Sequence, residues 1–229
     1  MKKTIIGLVL CGMAMLAQPS HAAFGGLRIG GIAGIGLLQG RHFYTGPASP
    51  SDDMIKRFSV LGSMMGVNAG YLFELSESKL VVGGEVYLLI PGINPKVDLY
   101  LMRGGANGPV EGSVAIKHNR SIGFAATVGM MMNPKFMVYV NVGIENARFQ
   151  FTYLIKDKPP IPPQQVFNRS FKGITPALGA TYKMSAHVLI GAELSSPFFK
   201  RFKVRSEGPR SYHYKPVERR LVLKLSYLF

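Results

Sequence analysis

The fold is decided by the C-terminal stretch Leu221–Phe229, which reads LVLKLSYLF. Its odd-numbered positions hold leucine, tyrosine and phenylalanine, whereas its even-numbered positions include Lys224 and Ser226. Successive side chains of a β-strand point to opposite faces, so this alternation predicts a strand with one apolar face and one mixed face.

The same alternation recurs along most of the chain. Apolar faces run over 136–144, 188–194 and 80–90, and each opposes a mixed face that holds one glutamate. Further alternating runs near 27–40, 58–74, 120–132 and 171–183 bring the total, with the C-terminal stretch, to eight predicted strands. Helical periodicity is hard to find after Ala23, so the predicted fold class is all-β. Residues 97–102 also alternate, which leaves the strand boundaries near them open.

The connections between these runs alternate in length. Short polar turns are predicted at residues 76–78, 133–135 and 184–186. Long irregular segments are predicted near residues 41–57, 91–118, 156–170 and 199–217. This order predicts an up-and-down antiparallel sheet with short turns at one end and long loops at the other.

The N-terminus reads as a signal peptide that spans residues 1–22. Lys2 and Lys3 precede the apolar run Ile5–Ala17, and Ser20-His21-Ala22 supplies small residues for cleavage after Ala22. The remaining residues, 23–229, form one predicted barrel domain. The single cysteine, Cys11, lies in the predicted signal peptide, so the mature chain has no disulfide and no thiolate metal site.

Composition narrows the class of protein further. The chain carries a net charge of +15, yet only 17% of its residues are charged and 47% are hydrophobic, which argues against disorder. Beyond the N-terminal segment no run of about 18 residues is continuously apolar, so helical membrane spans are not predicted in the mature chain.

The apolar faces are the ones predicted to meet lipid. A narrow eight-stranded barrel has little interior room, which suits the small residues and isolated charges of the mixed faces. The bulky aliphatic faces then point outward into the membrane. Aromatic residues support this orientation, because they cluster at strand ends beside the short turns, where girdles form: Tyr71, Phe73, Phe136, Tyr182, Tyr227 and Phe229.

With its signal peptide, its eight amphipathic strands and its ending Leu225–Phe229, the chain resembles the small outer-membrane β-barrel proteins of Gram-negative bacteria. The OmpA/OmpX-type and opacity-protein-type barrels are the nearest groups. The resemblance implies an eight-stranded antiparallel up-and-down transmembrane β-barrel in the outer membrane. It also implies a signal read by the barrel-assembly machinery, which falls on Leu221, Leu223, Leu225, Tyr227 and Phe229.

Five charged residues on the mixed faces are predicted to form interior ion pairs. They are the mid-strand acids Glu85, Glu145 and Glu193 and the cations Arg28 and Lys224. An unpaired buried charge is costly, so these groups should pair, and Glu193 with Lys224 is the expected direct contact. We interpret the set as a salt-bridged plug, with a proton or ion path as the alternative.

The segment from 200 to 220 is strongly basic, with interleaved aromatic residues, and is predicted to form the last external loop with its strand shoulders. Such a loop is expected to contact lipopolysaccharide of its own membrane, or surface ligands of the host or envelope. Dedicated nucleic-acid binding is not expected, because no recognition fold accompanies the charge. The loop cations are Lys200, Arg201, Lys203, Arg205, Arg210 and Lys215.

The sequence predicts neither an enzyme nor a cofactor or metal site. The mature histidines, His42, His118, His187 and His213, do not lie in the sequence arrangements typical of outer-membrane deacylases or proteases. The predicted role is a structural or adhesin-like surface protein that works through its long external loops. Two alternatives stay open: a narrow pore for small solutes, and a soluble exported barrel of lipocalin type.

Overall fold

A computed structural model describes residues 24–45, 56–75, 78–93, 96–101, 110–155, 164–200, 202–207 and 210–229. The predicted signal peptide at 1–22 therefore lies outside the described residues. No helix formed by the described part of the chain is long and apolar enough to cross a membrane.

The described residues form eleven β-strands in one sheet. In chain order they are β1 Gly26–Thr45, β2 Lys56–Glu74, β3 Leu80–Pro91, β4 Lys96–Leu101, β5 Val110–Asn133, β6 Phe136–Ile155, β7 Gln164–Lys183, β8 Val188–Ser195, β9 Phe198–Phe199, β10 Phe202–Glu207 and β11 Arg210–Leu228.

Eight of these strands close into an antiparallel barrel. The order around the wall is β1-β2-β3-β5-β6-β7-β8-β11, and β11 pairs back onto β1 from Arg28↔Leu228 to Thr45↔Ser211. Of the remaining strands, β4 pairs with β5, β9 pairs with β7 and β11, and β10 pairs with β11. The predicted eight-stranded barrel is confirmed, and closure lets the strands pair without leaving an open edge in lipid.

The strands are longer at one end than the alternation predicts. The predicted turns at 133–135 and 184–186 are confirmed, because β5 ends at Asn133 before β6, and β7 ends at Lys183 before β8. The long irregular segments are partly wrong: β1 continues to Thr45 and β2 starts at Lys56, for example. Beyond lipid the outward face no longer needs apolar side chains, so the alternation fades while backbone pairing continues.

The outward face of the barrel carries a continuous apolar belt. Large aliphatic side chains stand exposed on it, such as Ile144 at 67% and Leu223 at 59% of their accessible surface. Toward the short-turn end the belt is bordered by exposed Phe73, Tyr182 and Tyr227. An exposed apolar surface of this extent marks a membrane-facing surface.

With the short turns placed at the bottom, the lumen holds apolar side chains at both ends and charged side chains between them. The bottom layer consists of Phe24, Leu72, Val81, Met137, Tyr139, Leu189 and Leu228. The upper layer, named here the aromatic cap, is built around Phe149, Phe151, Phe171, Phe199 and Tyr214. The mixed-face pattern predicts a lumen of small and charged residues. The aromatic cap is a further feature of the lumen that this pattern does not predict.

Candidate functional site

The first site is a lower ion group, formed by Arg28, Glu85, Glu193 and Lys224. Lys224 Nζ lies 2.6 Å from Glu85 Oε1 and 2.7 Å from Glu193 Oε2. Arg28 Nη2 donates to the second oxygen of Glu85, Oε2, at 2.9 Å. β3 and β8 are separated by three strands in either direction around the ring, so Lys224 links opposite walls of the barrel.

Neutral donors complete the coordination of the lower ion group. Asn68 Nδ2 donates to Glu85 at 3.2 Å. Asn141 Nδ2 and the Tyr139 hydroxyl donate to Glu193 Oε2 at 2.8 and 3.1 Å. Each carboxylate thus has at least two polar partners, the condition for keeping a buried charge without a large loss of stability.

A second, upper ion group lies closer to the aromatic cap and consists of His118, Glu145, Glu218 and Arg220. The Arg220 guanidinium donates to both oxygens of Glu145 at 2.7 Å and to Glu218 Oε2 at 2.9 Å. His118 Nδ1 lies 3.4 Å from Glu218 Oε2. Arg220 is only 1% exposed, so its guanidinium lies inside the lumen.

Four of the five residues predicted to form interior ion pairs therefore meet in the lower group, whereas Glu145 belongs to the upper one. Its partner, Arg220, and the adjacent Glu218 come from the segment expected to form the last external loop. Both residues lie on the strand shoulder of that segment, because β11 begins at Arg210, and their side chains are buried in the lumen. The signal was available: Glu218, Arg220, Val222 and Lys224 continue one inward face at period two.

Two tyrosines donate hydrogen bonds to these groups, and the ring of each lies against a glycine of the neighbouring strand. Tyr87 donates to Glu145 Oε2 at 3.0 Å, and Tyr139 donates to Glu193. The Tyr87 ring lies against Gly123 of the neighbouring strand, and the Tyr139 ring lies against Gly179, so closely that a Cβ at either glycine would overlap the ring. The glycines are thus needed for the rings to lie flat on the wall.

His118 is enclosed by its contacts. Its Nε2 lies 2.9 Å from Ser121 Oγ, and its ring stacks on Phe149 with centroids 4.3 Å apart. The contacts therefore run from Ser121 to His118 to Glu218, in the order of the nucleophile, base and acid of a hydrolase triad. Both Ser121 and His118 are 0% exposed, so no substrate reaches the hydroxyl in this conformation.

The space between the two ion groups is small. A cavity of about 20 Å³ lies between the two ion groups and is bordered by Glu85, Glu193, Arg220 and Lys224. This volume holds about one water molecule. The described residues contain no group of three or more histidine, cysteine or acidic side chains placed to bind a metal ion. The arrangement therefore cross-links the walls and fills the barrel.

The predicted basic loop is largely a strand pair. Lys203 and Arg205 lie on β10, which pairs with the start of β11 at Arg210. Lys200 and Lys215 are exposed, whereas Arg201 lies outside the described residues. Strand pairing satisfies the backbone of this basic segment, which a pattern of charges alone does not predict.

The residues of the predicted assembly signal share the outward face of β11 and the position that follows it. Leu221, Leu223, Leu225, Tyr227 and Phe229 are all exposed on that face. Phe229 N donates to Leu27 O at 2.8 Å, which extends the seam between β11 and β1. The signal thus coincides with the strand that closes the barrel.

No protein-family model and no curated protein matches the sequence. Among solved structures, the outer membrane protein OprG from Pseudomonas aeruginosa is similar with a TM-score of 0.53 at 12% identity, over 91% of this chain and 99% of that one. The attachment invasion locus protein Ail of Yersinia pestis gives 0.37 at 11% identity, over 86% and 98% of the chains. The outer membrane protease OmpT from Escherichia coli gives 0.46 at 9% identity, over 93% and 100%.

The likeness to OprG shows the fold, which is that of a small outer-membrane barrel. The closed sheet, the apolar belt and the aromatic border are the features that this class of fold requires in lipid. The chain therefore has the fold of an outer-membrane β-barrel.

Proposed function

We propose that this chain is a structural and surface-interaction protein, anchored by its apolar belt and acting through the part of the barrel outside the membrane. The observation that carries the proposal is the contrast between a filled lumen and strands that run well past the belt. A barrel with a packed lumen whose strands rise beyond the membrane is expected to work through its outer surface.

The filled lumen argues against the narrow-pore alternative. Two buried ion groups occupy the middle of the barrel, and the aromatic cap packs above them. The cavity of about 20 Å³ between the groups is too small for a solute larger than water. Wide aqueous channels belong to barrels with about twice as many strands.

The length of the strands supports an external working surface. β5 has 24 residues and β6 has 20, whereas a tilted strand crosses the hydrocarbon region with roughly 9–11 residues. About half of each strand therefore stands outside the membrane. β5 and β6 stay paired there up to Gly112↔Ile155, which makes the projecting part a rigid wall.

The partners proposed for this wall are anionic. The rim cations Lys200, Lys203, Arg205, Arg210 and Lys215 suit lipopolysaccharide, or acidic glycans of a host or of the envelope. During biogenesis we also expect the barrel-assembly machinery to read the exposed face Leu221–Phe229. No nucleic-acid-binding role is included.

Catalysis is not part of the proposal. Ser121, His118 and Glu218 have the order of a hydrolase triad, but both serine and histidine are fully enclosed. A fluorophosphonate probe that reacts with activated serines should leave the folded protein unlabelled. Labelling that disappears in Ser121→Ala would instead assign an activity to the upper ion group.

The surface role is tested on cells that display the full chain. We expect them to bind plates coated with heparin, used as a sulfated polysaccharide probe, more than plates coated with neutral dextran. A variant with glutamine at Lys200, Lys203, Arg205, Arg210 and Lys215 should lose that preference. Lys79→Gln/Lys135→Gln, which removes charge at the short-turn end, should keep it. Equal binding by all three proteins would contradict the surface role, and conductance steps in planar bilayers would favour the pore.

A further inference from the structure

His118 and Ser121 both point into the lumen although they lie three positions apart on β5. Side chains of a regular strand alternate, so residues three apart belong to opposite faces. The register between β5 and β6 shifts between His118 and Arg120, which marks a β-bulge at Asn119. The extra residue turns Ser121 to the same face as His118, and both side chains are fully buried. The bulge therefore brings a buried imidazole and a buried hydroxyl into contact.

The single hydrogen of the Ser121 hydroxyl is already used. Ser121 donates a hydrogen bond to the Glu145 carboxylate, which accepts and has no hydrogen to return when it is ionised. Ser121 Oγ must therefore act as the acceptor toward His118 Nε2, which lies 2.9 Å away. It follows that His118 Nε2 carries a hydrogen.

The other ring nitrogen of His118, Nδ1, faces a second acceptor. It lies 3.4 Å from Glu218 Oε2 and has no hydrogen-bond partner among the described residues. Glu218 Oε1 is also buried without such a partner. A neutral imidazole that donates through Nε2 presents a lone pair at Nδ1. That lone pair would face a carboxylate, whereas a hydrogen on Nδ1 makes the contact attractive.

The charges of the upper ion group do not balance without this second hydrogen. Two buried carboxylates, Glu145 and Glu218, share one guanidinium, so the group carries a net charge of −1 when the imidazole is neutral. The lower ion group has two carboxylates and two cations instead. The other ionisable side chains described around the upper group are Tyr87, which donates to Glu145, and the buried Tyr214. Neither tyrosine supplies a positive charge, which leaves His118 to supply it.

We propose that the upper ion group is a proton-binding site, in which His118 takes up one proton and then donates to both Ser121 and Glu218. Proton uptake gives Glu218 a second cation and makes the group neutral. A guanidinium such as that of Arg220 stays charged, whereas imidazole ordinarily changes its charge between pH 5 and 8. The protonated ring has partners in the folded barrel that it lacks in the unfolded chain. The stability of the barrel should therefore rise as the pH falls through this range.

The direct test is NMR of the folded full chain in detergent micelles, with ¹⁵N-labelled histidine. Correlations between ring nitrogens and ring hydrogens distinguish an imidazolium from a neutral imidazole. The His118 signal, identified by its absence from His118→Gln, should be that of an imidazolium at pH 5. Glu218→Gln should weaken proton binding about tenfold, because one carboxylate partner is lost. If His118→Gln does not fold, Ser121→Ala identifies the same signal by its shift. A ring that is neutral at pH 5 would overturn the proposal.

Urea unfolding of the same micelle samples measures the effect of the bound proton on the barrel. The wild type should unfold about tenfold more slowly at pH 5.5 than at pH 8, which corresponds to one charge-assisted contact of about 1.4 kcal/mol. His118→Gln should lose most of this difference. The matched control is His187→Gln, which removes an exposed histidine in the turn before β8 and should keep the difference. Equal pH dependence in the wild type and His118→Gln would contradict the proposal. Loss of heparin binding by the rim variant would leave it intact.

Discussion

The two ion groups of the lumen each hold two buried carboxylates, but they do so with different cations. In the lower group one ammonium, Lys224, bridges Glu85 and Glu193 on opposite walls, and Arg28 adds a second cation. In the upper group one guanidinium, Arg220, holds both Glu145 and Glu218. The lower group distributes its stabilisation over two cations and three neutral donors. In the upper group Tyr87 and Thr175 also donate to Glu145, but one cation, Arg220, serves both carboxylates.

This difference predicts how much stability the barrel loses when a cation of either group is removed. Removal of one partner from a buried pair leaves an uncompensated charge, and the cost depends on how many other partners that charge keeps. Glu85 keeps Arg28 when Lys224 is lost, and Glu193 keeps Tyr139 and Asn141. Glu218 has no comparable second cation, since its other close neighbour is the His118 ring, with Nδ1 at 3.4 Å.

The largest effect is therefore expected for Arg220→Met. The variant leaves Glu145 and Glu218 buried without their guanidinium, which should lower the free energy of unfolding by about 3–5 kcal/mol. Urea unfolding of the refolded barrel in detergent measures the change.

Arg219→Met is the matched control, because Arg219 is the neighbour in sequence but points outward. Its unfolding midpoint should stay close to that of the wild type. Equal effects of the two substitutions would contradict the inward assignment of Arg220.

An intermediate effect is expected for Lys224→Met. Both glutamates of the lower group keep hydrogen-bond donors, so the loss should be about 1–3 kcal/mol and smaller than for Arg220→Met. The same urea titration ranks the two variants. An unchanged midpoint would show that the lower group does not stabilise the barrel, and a loss larger than that of Arg220→Met would reverse the comparison.

The smallest effect is expected at the aromatic cap above the upper group. The hydroxyl of Tyr214 is buried and has no hydrogen-bond partner among the described residues. Tyr214→Phe removes an unpaired polar group, so stability should stay the same or rise by ~1 kcal/mol. Phe151→Ala, which opens a cavity in the same cap, is the contrasting variant and should destabilise. A loss of stability in Tyr214→Phe would mean that the hydroxyl has a partner and that the cap holds water.

The sequence predicted the part of the barrel that lies in lipid. There the outward residue must be apolar, so period two is enforced and both Glu193 and Lys224 fall visibly on the inward face. Alternate residues of both runs are exposed on the outer surface as that pattern requires: Val140, Val142, Ile144, Leu221, Leu223, Leu225, Tyr227 and Phe229. The eight-stranded closed barrel follows from these runs.

The external half was harder to predict for a physical reason. Above the belt the outward face is wet, so Arg219 and Lys215 appear beside Glu218 and Arg220 as one mixed run of charge. A run of charged residues favours the prediction of a loop. The inward-facing Glu218 and Arg220 were therefore not recognised as an interior ion pair. The aromatic cap was missed similarly, because Phe149 and Phe151 alternate with Arg148 and Gln150 inside a segment without an apolar outward face.

The central claim is that the apolar faces of this barrel point outward into lipid. The most direct test is to run the outer-membrane fraction on an SDS gel, once unheated and once boiled. A closed lipid-facing barrel resists the detergent, so the unheated sample should migrate faster than the boiled one. A single unshifted band, with the protein recovered in the soluble fraction, would contradict the claim and place the apolar faces in a core.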